Sequence, residues 1–138
     1  MWTRGSEVFI VSVVPLALGL QGTAQLTIAD GDTALAMSCG RVPTLATPRL
    51  IALCEQAAIA AIEGAVEETD CCVGLSVQID HLRPTPIGDD VTAEAVLDKI
   101  DGKRLVFHVT AHDDRGLIAA GRMTRAILDY SKFMEKTH

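Results

Sequence analysis

TPRLIALCEQAAIAAIE, residues 47–63, is the stretch around which the rest of the chain is organised. Good helix formers, chiefly Ala and Leu, dominate its interior. Thr47 suits the cap position and Pro48 the first helical position, so we expect a helix from Pro48 to about Val66. Apolar residues lie almost all round this helix, which predicts that it is buried rather than laid on the surface.

Glu55 is the only charged residue in the middle of this helix. A carboxylate inside an apolar helix costs free energy unless it is paired or hydrated. Glu55 is therefore a candidate for acid–base chemistry. The alternative is that Glu55 lies on an exposed edge of the helix.

The composition indicates one globular domain with an ordinary core. The chain has 138 residues, of which 49% are hydrophobic and 22% charged. Its net charge of −6 argues against a nucleic-acid partner, because nucleic-acid binders normally carry a basic excess. The four cysteines have no metal or redox spacing, so we expect no metal site and a reducing, cytoplasmic location.

The first 18 residues form a separate leader segment in our interpretation, followed by a domain over residues 19–138. The apolar run Val8–Leu20 is too short to span a bilayer, so no membrane association is expected. It is either the apolar part of a secretory signal or, as we favour, a leader strand that packs on the domain or on a partner subunit.

The remaining chain alternates with the period of β-strands. The predicted strands are Gln21–Ile28, Val73–Leu82, Val91–Ile100, Leu105–Asp113 and Leu117–Tyr130. A short helical piece is expected at Thr33–Met37 and a frayed tail at Ser131–His138. This order predicts an α+β fold, an antiparallel sheet of about five strands with the long helix on one face. A helix that is apolar all round needs a second cover, which predicts a homodimer.

His81 is the second candidate for chemistry. Side chains alternate between the faces of a strand, so His81 shares a face with Val77 and Ile79, and that face should meet the helix. A histidine aimed at the helix that carries Glu55 is a plausible acid–base partner, and a satisfied core histidine is the alternative.

Thr47 can act as a helix cap alone or also help to bind a carbonyl oxygen at the helix N-terminus. Thr47 and Glu55 are eight residues apart, about 12 Å of helix rise. We therefore expect either the substrate to bridge them or a dimer interface to complete the site. The sequence contains no phosphate-binding glycine loop and no nucleophile elbow.

Several motifs resemble the fluoroacetyl-CoA thioesterase-like family of hot-dog-fold thioesterases. They are LATPRL at 45–50, VG at 73–74, HLRPTP at 81–86, DGKRLVF at 101–107 and AHD at 111–113. The resemblance covers about residues 19–133 and implies a hot-dog fold, in which the sheet wraps around the long helix. Gly121 and Arg125 match a further family pattern, whereas Met123-Thr124 replaces its His-Glu, and the segment before the helix lacks the aromatic lid of the fluoroacetyl-CoA enzyme.

The resemblance implies a function and a set of site residues. The function is hydrolysis of an acyl-CoA thioester to free acid and CoA, with Thr47, Glu55 and His81 as the catalytic set. Gly74, Arg83 and Arg125 are the expected substrate-binding residues. CoA enters as part of the substrate, and no other cofactor is needed. The expected assembly is a homodimer or a dimer of dimers.

The sequence leaves three functions open besides hydrolysis. The main alternative is a catalytically silent module that binds acyl-CoA or another small ligand. A hydratase and a purely structural oligomer are further possibilities, because fold does not fix function.

Overall fold

The structure, a computed structural model, describes residues 14–138 in full and the backbone of residues 3–4 and 7–8. Those two short segments form the antiparallel strands β1 (Thr3–Arg4) and β2 (Glu7–Val8). Half of the proposed leader, residues 1–18, therefore lies outside the described residues.

A five-stranded antiparallel sheet forms the body of the domain and confirms the predicted α+β fold. Its strands lie in the order β3-β5-β6-β7-β4. They are β3 (Gln21–Thr27), β4 (Asp70–His81), β5 (Asp90–Asp101), β6 (Arg104–Asp113) and β7 (Gly116–Asp129). Among the described strands, β3 and β4 are the two edges of this sheet, so β4 has a side without a neighbouring described strand, at which another strand can pair.

One long helix, α1 (Thr47–Ala61), packs on this sheet, mainly against β3 and β5. The helix crosses β3 at Gly22, where a Cβ atom would lie only 2.2 Å from the Ala61 backbone nitrogen. Its buried residues are Leu50, Leu53, Cys54, Ala57, Ala58 and Ala61. The opposite side is open, and Ile59 is 48% exposed. Within one chain the sheet therefore covers one side of the helix, and the second cover for the other side stays a prediction.

The helix is also shorter than expected. It ends at Ala61 rather than near Val66, and the chain turns away through Gly64 at φ 84°. A residue with positive φ cannot continue a right-handed helix, and glycine adopts this conformation without steric cost.

Two further local predictions are wrong. Thr33–Met37 forms hydrogen-bonded turns instead of a helix, and the Thr33 hydroxyl accepts from the Ala36 amide. The tail is not frayed throughout, because Tyr130–Glu135 forms the helix α2. The Asp129 carboxylate caps α2 by accepting from the Lys132 amide at 2.9 Å.

Candidate active site

Thr47 and His81 meet where α1 begins and β4 ends. Thr47 Oγ1 lies 2.8 Å from His81 Nδ1, although 34 residues separate them in the chain. His81 therefore points towards the helix, as its strand phase predicts. The predicted capping role of Thr47 is wrong: Ala46 occupies the cap position, Thr47 is the first helical residue and Pro48 the second. The Thr47 hydroxyl is thus available to the imidazole.

The environment of His81 keeps its imidazole neutral. Burial lowers the pKa of His81 from its ordinary 6.5, and an interaction with the Arg83 backbone raises it by a smaller amount. The other ring nitrogen, Nε2, is buried and has no hydrogen-bond partner among the residues that the structure describes. A neutral imidazole has one donor and one acceptor nitrogen, so this ring can take up a proton from a group that reaches it.

The pair lines a cavity of about 360 Å³. The other walls are Arg83 and residues of the segments before α1 and after β4. Those residues are Ala34, Cys39, Gly40, Val42, Thr44, Leu45, Leu82 and Pro84. None of them is aromatic, so the lining matches the expectation that an aromatic lid is lacking.

Glu55 lies in a different cluster and is not a lone carboxylate. Arg125 Nη1 donates to Glu55 Oε2 at 2.7 Å. The same guanidinium donates from Nε to Cys72 Sγ at 3.3 Å and from Nη2 to the Cys72 carbonyl at 3.0 Å. The Arg125 side chain is only 5% exposed, whereas the Glu55 side chain is 37% exposed. The premise that Glu55 is isolated in an apolar helix is therefore wrong, because β7 supplies its counter-charge.

Gly74 completes the cluster around Glu55. A Cβ atom at Gly74 would lie 3.3 Å from Glu55 Oε2 and 3.4 Å from Arg125 Nη1. The register between β4 and β7 shifts between Gly74 and Ser76, so the edge strand bulges at this point. A small group placed against Gly74 would therefore meet both the carboxylate and the guanidinium.

The two clusters are separate in the single chain. Within residues 14–138, no hydrogen bond or ion pair joins Glu55 to Thr47 or His81. Of the three predicted catalytic residues, Thr47 and His81 thus contact each other, whereas Glu55 pairs with Arg125.

Arg83 was expected to bind substrate, and its guanidinium is partly committed elsewhere. Arg83 Nη2 donates to Asp113 Oδ1 at 2.5 Å and more weakly to the Gly116 carbonyl at 3.4 Å. The side chain remains 34% exposed at the cavity wall. The sequence predicts the buried partner, Asp113, as the last residue of the strand Leu105–Asp113 but gives it no role in the site. The alternation from Leu105 to Ala111 was the signal that places it on the inner face of β6.

Other chemistries find less support in the part of the chain that the structure describes. No group of three His, Cys, Asp or Glu side chains there could hold a metal ion. Burial, assisted by the neighbouring Glu55, raises the pKa of the Cys54 thiol to about 11, so Cys54 is protonated and a poor nucleophile at neutral pH. No described helix is both long and apolar enough to cross a bilayer.

Comparisons with known proteins agree on one family. A family model described as FlK, fluoroacetyl-CoA-specific thioesterase, matches residues 28–131. The fluoroacetyl-CoA thioesterase of Streptantibioticus cattleyicolor is 33% identical over 91 residues, and the alignment covers 66% of this chain and 66% of that protein, just under two thirds of each.

Solved structures extend the likeness over more of the chain. A structure of the fluoroacetyl-CoA thioesterase FlK superposes with a TM-score of 0.83 at 26% identity, covering 90% of this chain and 96% of that one. A thioesterase superfamily member from Thermus thermophilus gives a TM-score of 0.83 at 26% identity, covering 89% and 91%. These matches confirm the predicted hot-dog fold, a curled antiparallel sheet around one main helix.

Proposed function

Because the chain belongs to the fluoroacetyl-CoA-specific thioesterase family, we propose that it hydrolyses an acyl-CoA thioester to a free acid and CoA. The observation that carries the proposal is the Thr47–His81 pair, with 2.8 Å between Oγ1 and Nδ1, on the wall of a cavity. A neutral histidine fixed through one nitrogen leaves the other for proton transfer, which thioester hydrolysis requires.

Glu55 supplies the negative charge of the proposed mechanism. It attacks the thioester carbonyl as a nucleophile, releasing CoA thiolate and leaving an anhydride that water hydrolyses, or it acts as a general base towards water. In both routes His81 carries the proton between water and the departing thiolate, and Thr47 holds His81 and orients the water or the substrate.

Gly74 and Arg125 are the proposed binding site for the thioester carbonyl. The proposal is supported by the absence of a side chain at Gly74, which lets a carbonyl approach both Glu55 and Arg125. The Gly74 amide stabilises the oxyanion as negative charge develops. Arg125 holds the carboxylate in place and adds positive charge beside the oxyanion.

Arg83 is the proposed contact for the CoA phosphates. Its side chain is 34% exposed, and Arg83 lines the cavity that contains His81. No cofactor other than the CoA of the substrate takes part, and the net charge of −6 disfavours nucleic-acid partners.

We further propose a homodimer, or a dimer of dimers, in which two subunits complete each site. The edge strand β4 carries apolar side chains that are open to solvent, since Leu75 is 48% and Val77 38% exposed. Antiparallel pairing of β4 with its copy about Ser76 sets residue 81 opposite residue 71, five positions on either side of the centre. The Thr47–His81 pair of one subunit then approaches the Glu55 cluster of the other.

We assign the hot-dog domain to residues 19–138 and the leader to residues 1–18. A cytoplasmic location is supported by the cysteines, because all four are free: Cys39, Cys54, Cys71 and Cys72.

The test is release of free thiol from short, branched, aromatic and long acyl-CoAs. We expect turnover of at least one class, lost in Glu55→Gln and His81→Asn. Saturable binding of acyl-CoA without any thiol release would instead favour the alternative, a catalytically silent binding module on the same fold.

A further inference from the structure

Asp113 is the last residue of β6 and lies on the inner face of that strand. Its carboxylate is buried, and its side chain has no exposed surface. Four residues earlier on this face, Val109 packs in the hydrophobic core, so a charge at Asp113 needs compensation. It accepts hydrogen bonds from Arg83 Nη2 at 2.5 Å, the Arg115 amide at 2.8 Å and the Thr85 hydroxyl at 3.2 Å. These donors make the position suited to an ionised carboxylate.

One branch of this network leads to His81. Arg83, whose guanidinium donates to Asp113, follows His81 by two residues in the chain. Between them, the Leu82 amide donates to the Ile118 carbonyl at 2.7 Å, which ties the strand end to β7. Asp113 therefore fixes the backbone immediately after His81 from one side, and β7 fixes it from the other.

The second branch leads to Thr47. Thr85, whose hydroxyl binds Asp113, accepts at its carbonyl from the Leu45 amide at 2.9 Å. Leu45 precedes Thr47 by two residues. An adjacent bridge between Thr44 and Pro86 holds the same two segments together. The two backbone segments that carry Thr47 and His81 are thus both anchored on one carboxylate.

The charge of Asp113 is favoured in this environment. Burial alone raises the pKa of the Asp113 carboxyl, but the Arg115 amide, the Arg83 guanidinium and the Thr85 hydroxyl together lower it below its ordinary value. Arg115 also approaches both Asp113 and Asp89 at 3.7 Å, so its guanidinium is shared between two carboxylates. The Asp113 carboxyl is therefore ionised throughout the neutral range.

We propose that Asp113 is a positioning residue for the reaction, which sets the separation of Thr47 Oγ1 and His81 Nδ1 by clamping the segments that carry them. The proposal rests on the proposed thioesterase function. Asp113 does not line the cavity, so it acts through Arg83 and Thr85. Small displacements of reacting groups slow catalysis strongly, because proximity and orientation supply much of the rate.

The test compares Asp113→Asn with Asp129→Asn in the full chain. Asn keeps the shape of the side chain but removes its charge. Asp129 also accepts a backbone amide, that of Lys132, but it caps the exposed helix α2 instead. We expect Asp113→Asn to lower kcat by about 10-fold to 100-fold with KM changed less than about two-fold, and Asp129→Asn to leave both unchanged.

A readout on His81 separates positioning from a general loss of stability. The imidazole is followed by NMR across pH in the folded proteins. Since burial is the main cause of the lowered pKa of His81, loosening the clamp should move its titration upward, towards 6.5, and the acid limb of kcat/KM should move with it. A folded Asp113→Asn protein with unchanged kcat and unchanged His81 titration overturns the proposal.

A second variant and a measurement that does not depend on activity complete the test. If Asp113→Asn does not fold, Thr85→Val removes only the hydroxyl that binds Asp113, and the same displacement of the His81 titration is expected on a smaller scale. If the wild type hydrolyses no acyl-CoA, the proposed function fails, while the NMR titration still decides whether Asp113 positions His81.

Discussion

Arg125 Nη1 donates to Glu55 Oε2 across 2.7 Å, and the two groups differ sharply in exposure, 5% for the cation and 37% for the carboxylate. The guanidinium depends on this pairing more than the carboxylate does, because a buried charge without a partner is costly, whereas water can solvate Glu55. The interaction therefore serves two purposes: it compensates Arg125 in the sheet and holds one oxygen of Glu55 beside Gly74.

Glu55→Gln should abolish most thioester hydrolysis and also lower stability. The amide keeps the shape of Glu55 but is neither nucleophile nor base, so we expect kcat to fall at least about 100-fold. The buried Arg125 loses its counter-charge, at a cost of about 1 kcal/mol in the free energy of unfolding. Glu63→Gln, an exposed position near the end of α1, is the control for both measurements. Undiminished turnover in Glu55→Gln removes Glu55 from the mechanism.

Gly74→Ala tests the space between Glu55 and Arg125. The added Cβ would lie 3.3 Å from Glu55 Oε2 and 3.4 Å from Arg125 Nη1, so the Glu55 carboxylate must move by a few tenths of an ångström. We expect a fall in kcat of about 10-fold with little change in melting temperature. Gly31→Ala is the matched control, since nothing lies within 4 Å of its Cβ. Equal kinetics in the two variants would show that no reacting group uses the surface at Gly74.

Local patterns made much of the fold predictable, because periodicity reports directly on burial. The alternation in β4 predicted that His81 points towards the helix. The alternation in β6 predicted that Leu105, Phe107, Val109 and Ala111 share one face, and all four are buried. The predicted N-cap of α1, Thr47, is wrong by one residue, because residue propensities do not locate a helix end to a single position.

Long-range pairs were beyond the reach of these patterns. Glu55 and Arg125 lie 70 residues apart, so no local spacing reveals that they form an ion pair. Asp113 was predicted only as the last residue of the strand Leu105–Asp113, because its partners Arg83 and Thr85 come from another segment of the chain. The fold was therefore easier to predict than the partners of its charged groups.

The acidity of His81 should govern both activity and stability in mildly acidic solution. Burial lowers the pKa of His81 below 6.5 in the folded chain, so kcat/KM should be constant above pH 6.5 and fall as pH drops through that lower value. The unfolded chain binds this proton at higher pH than the folded chain. The contribution of His81 to the free energy of unfolding is therefore fully present above pH 6.5. It declines as the pH falls from 6.5 towards the folded-state pKa.

The measurement is the pH dependence of kcat/KM and of the melting temperature in the wild type, His81→Asn and His108→Asn. His108 is exposed on the outer face of β6 and serves as the control. We expect the melting temperature of His108→Asn to depend on pH as that of the wild type does. In His81→Asn, the fall in melting temperature that His81 causes below pH 6.5 should be absent. A wild-type acid limb centred above pH 6.5 would contradict the assignment to His81.

Mixed dimers decide which subunit supplies each site residue. Glu55→Gln and His81→Asn proteins are each expected to be inactive. If Glu55 of one subunit works with His81 of the other, a mixed dimer of the two variants has one site with both substitutions and one site with none. Co-refolding equal amounts should then restore thiol release to about one quarter of the wild-type rate, because half of the dimers are mixed and each has one intact site of two.

The arrangement within one subunit predicts the opposite result. Each site of the mixed dimer would then carry one damaged residue, and no activity would return on mixing. The control is co-refolding of Glu55→Gln with itself, which should stay inactive under both arrangements. Light scattering on the same samples reports the assembly, and a monomer at the assay concentration would contradict the pairing of β4 with its copy. Restored activity, in contrast, requires that Thr47 and His81 of one chain reach Glu55 of another, as the free edge of β4 and the exposed Leu75 lead us to expect.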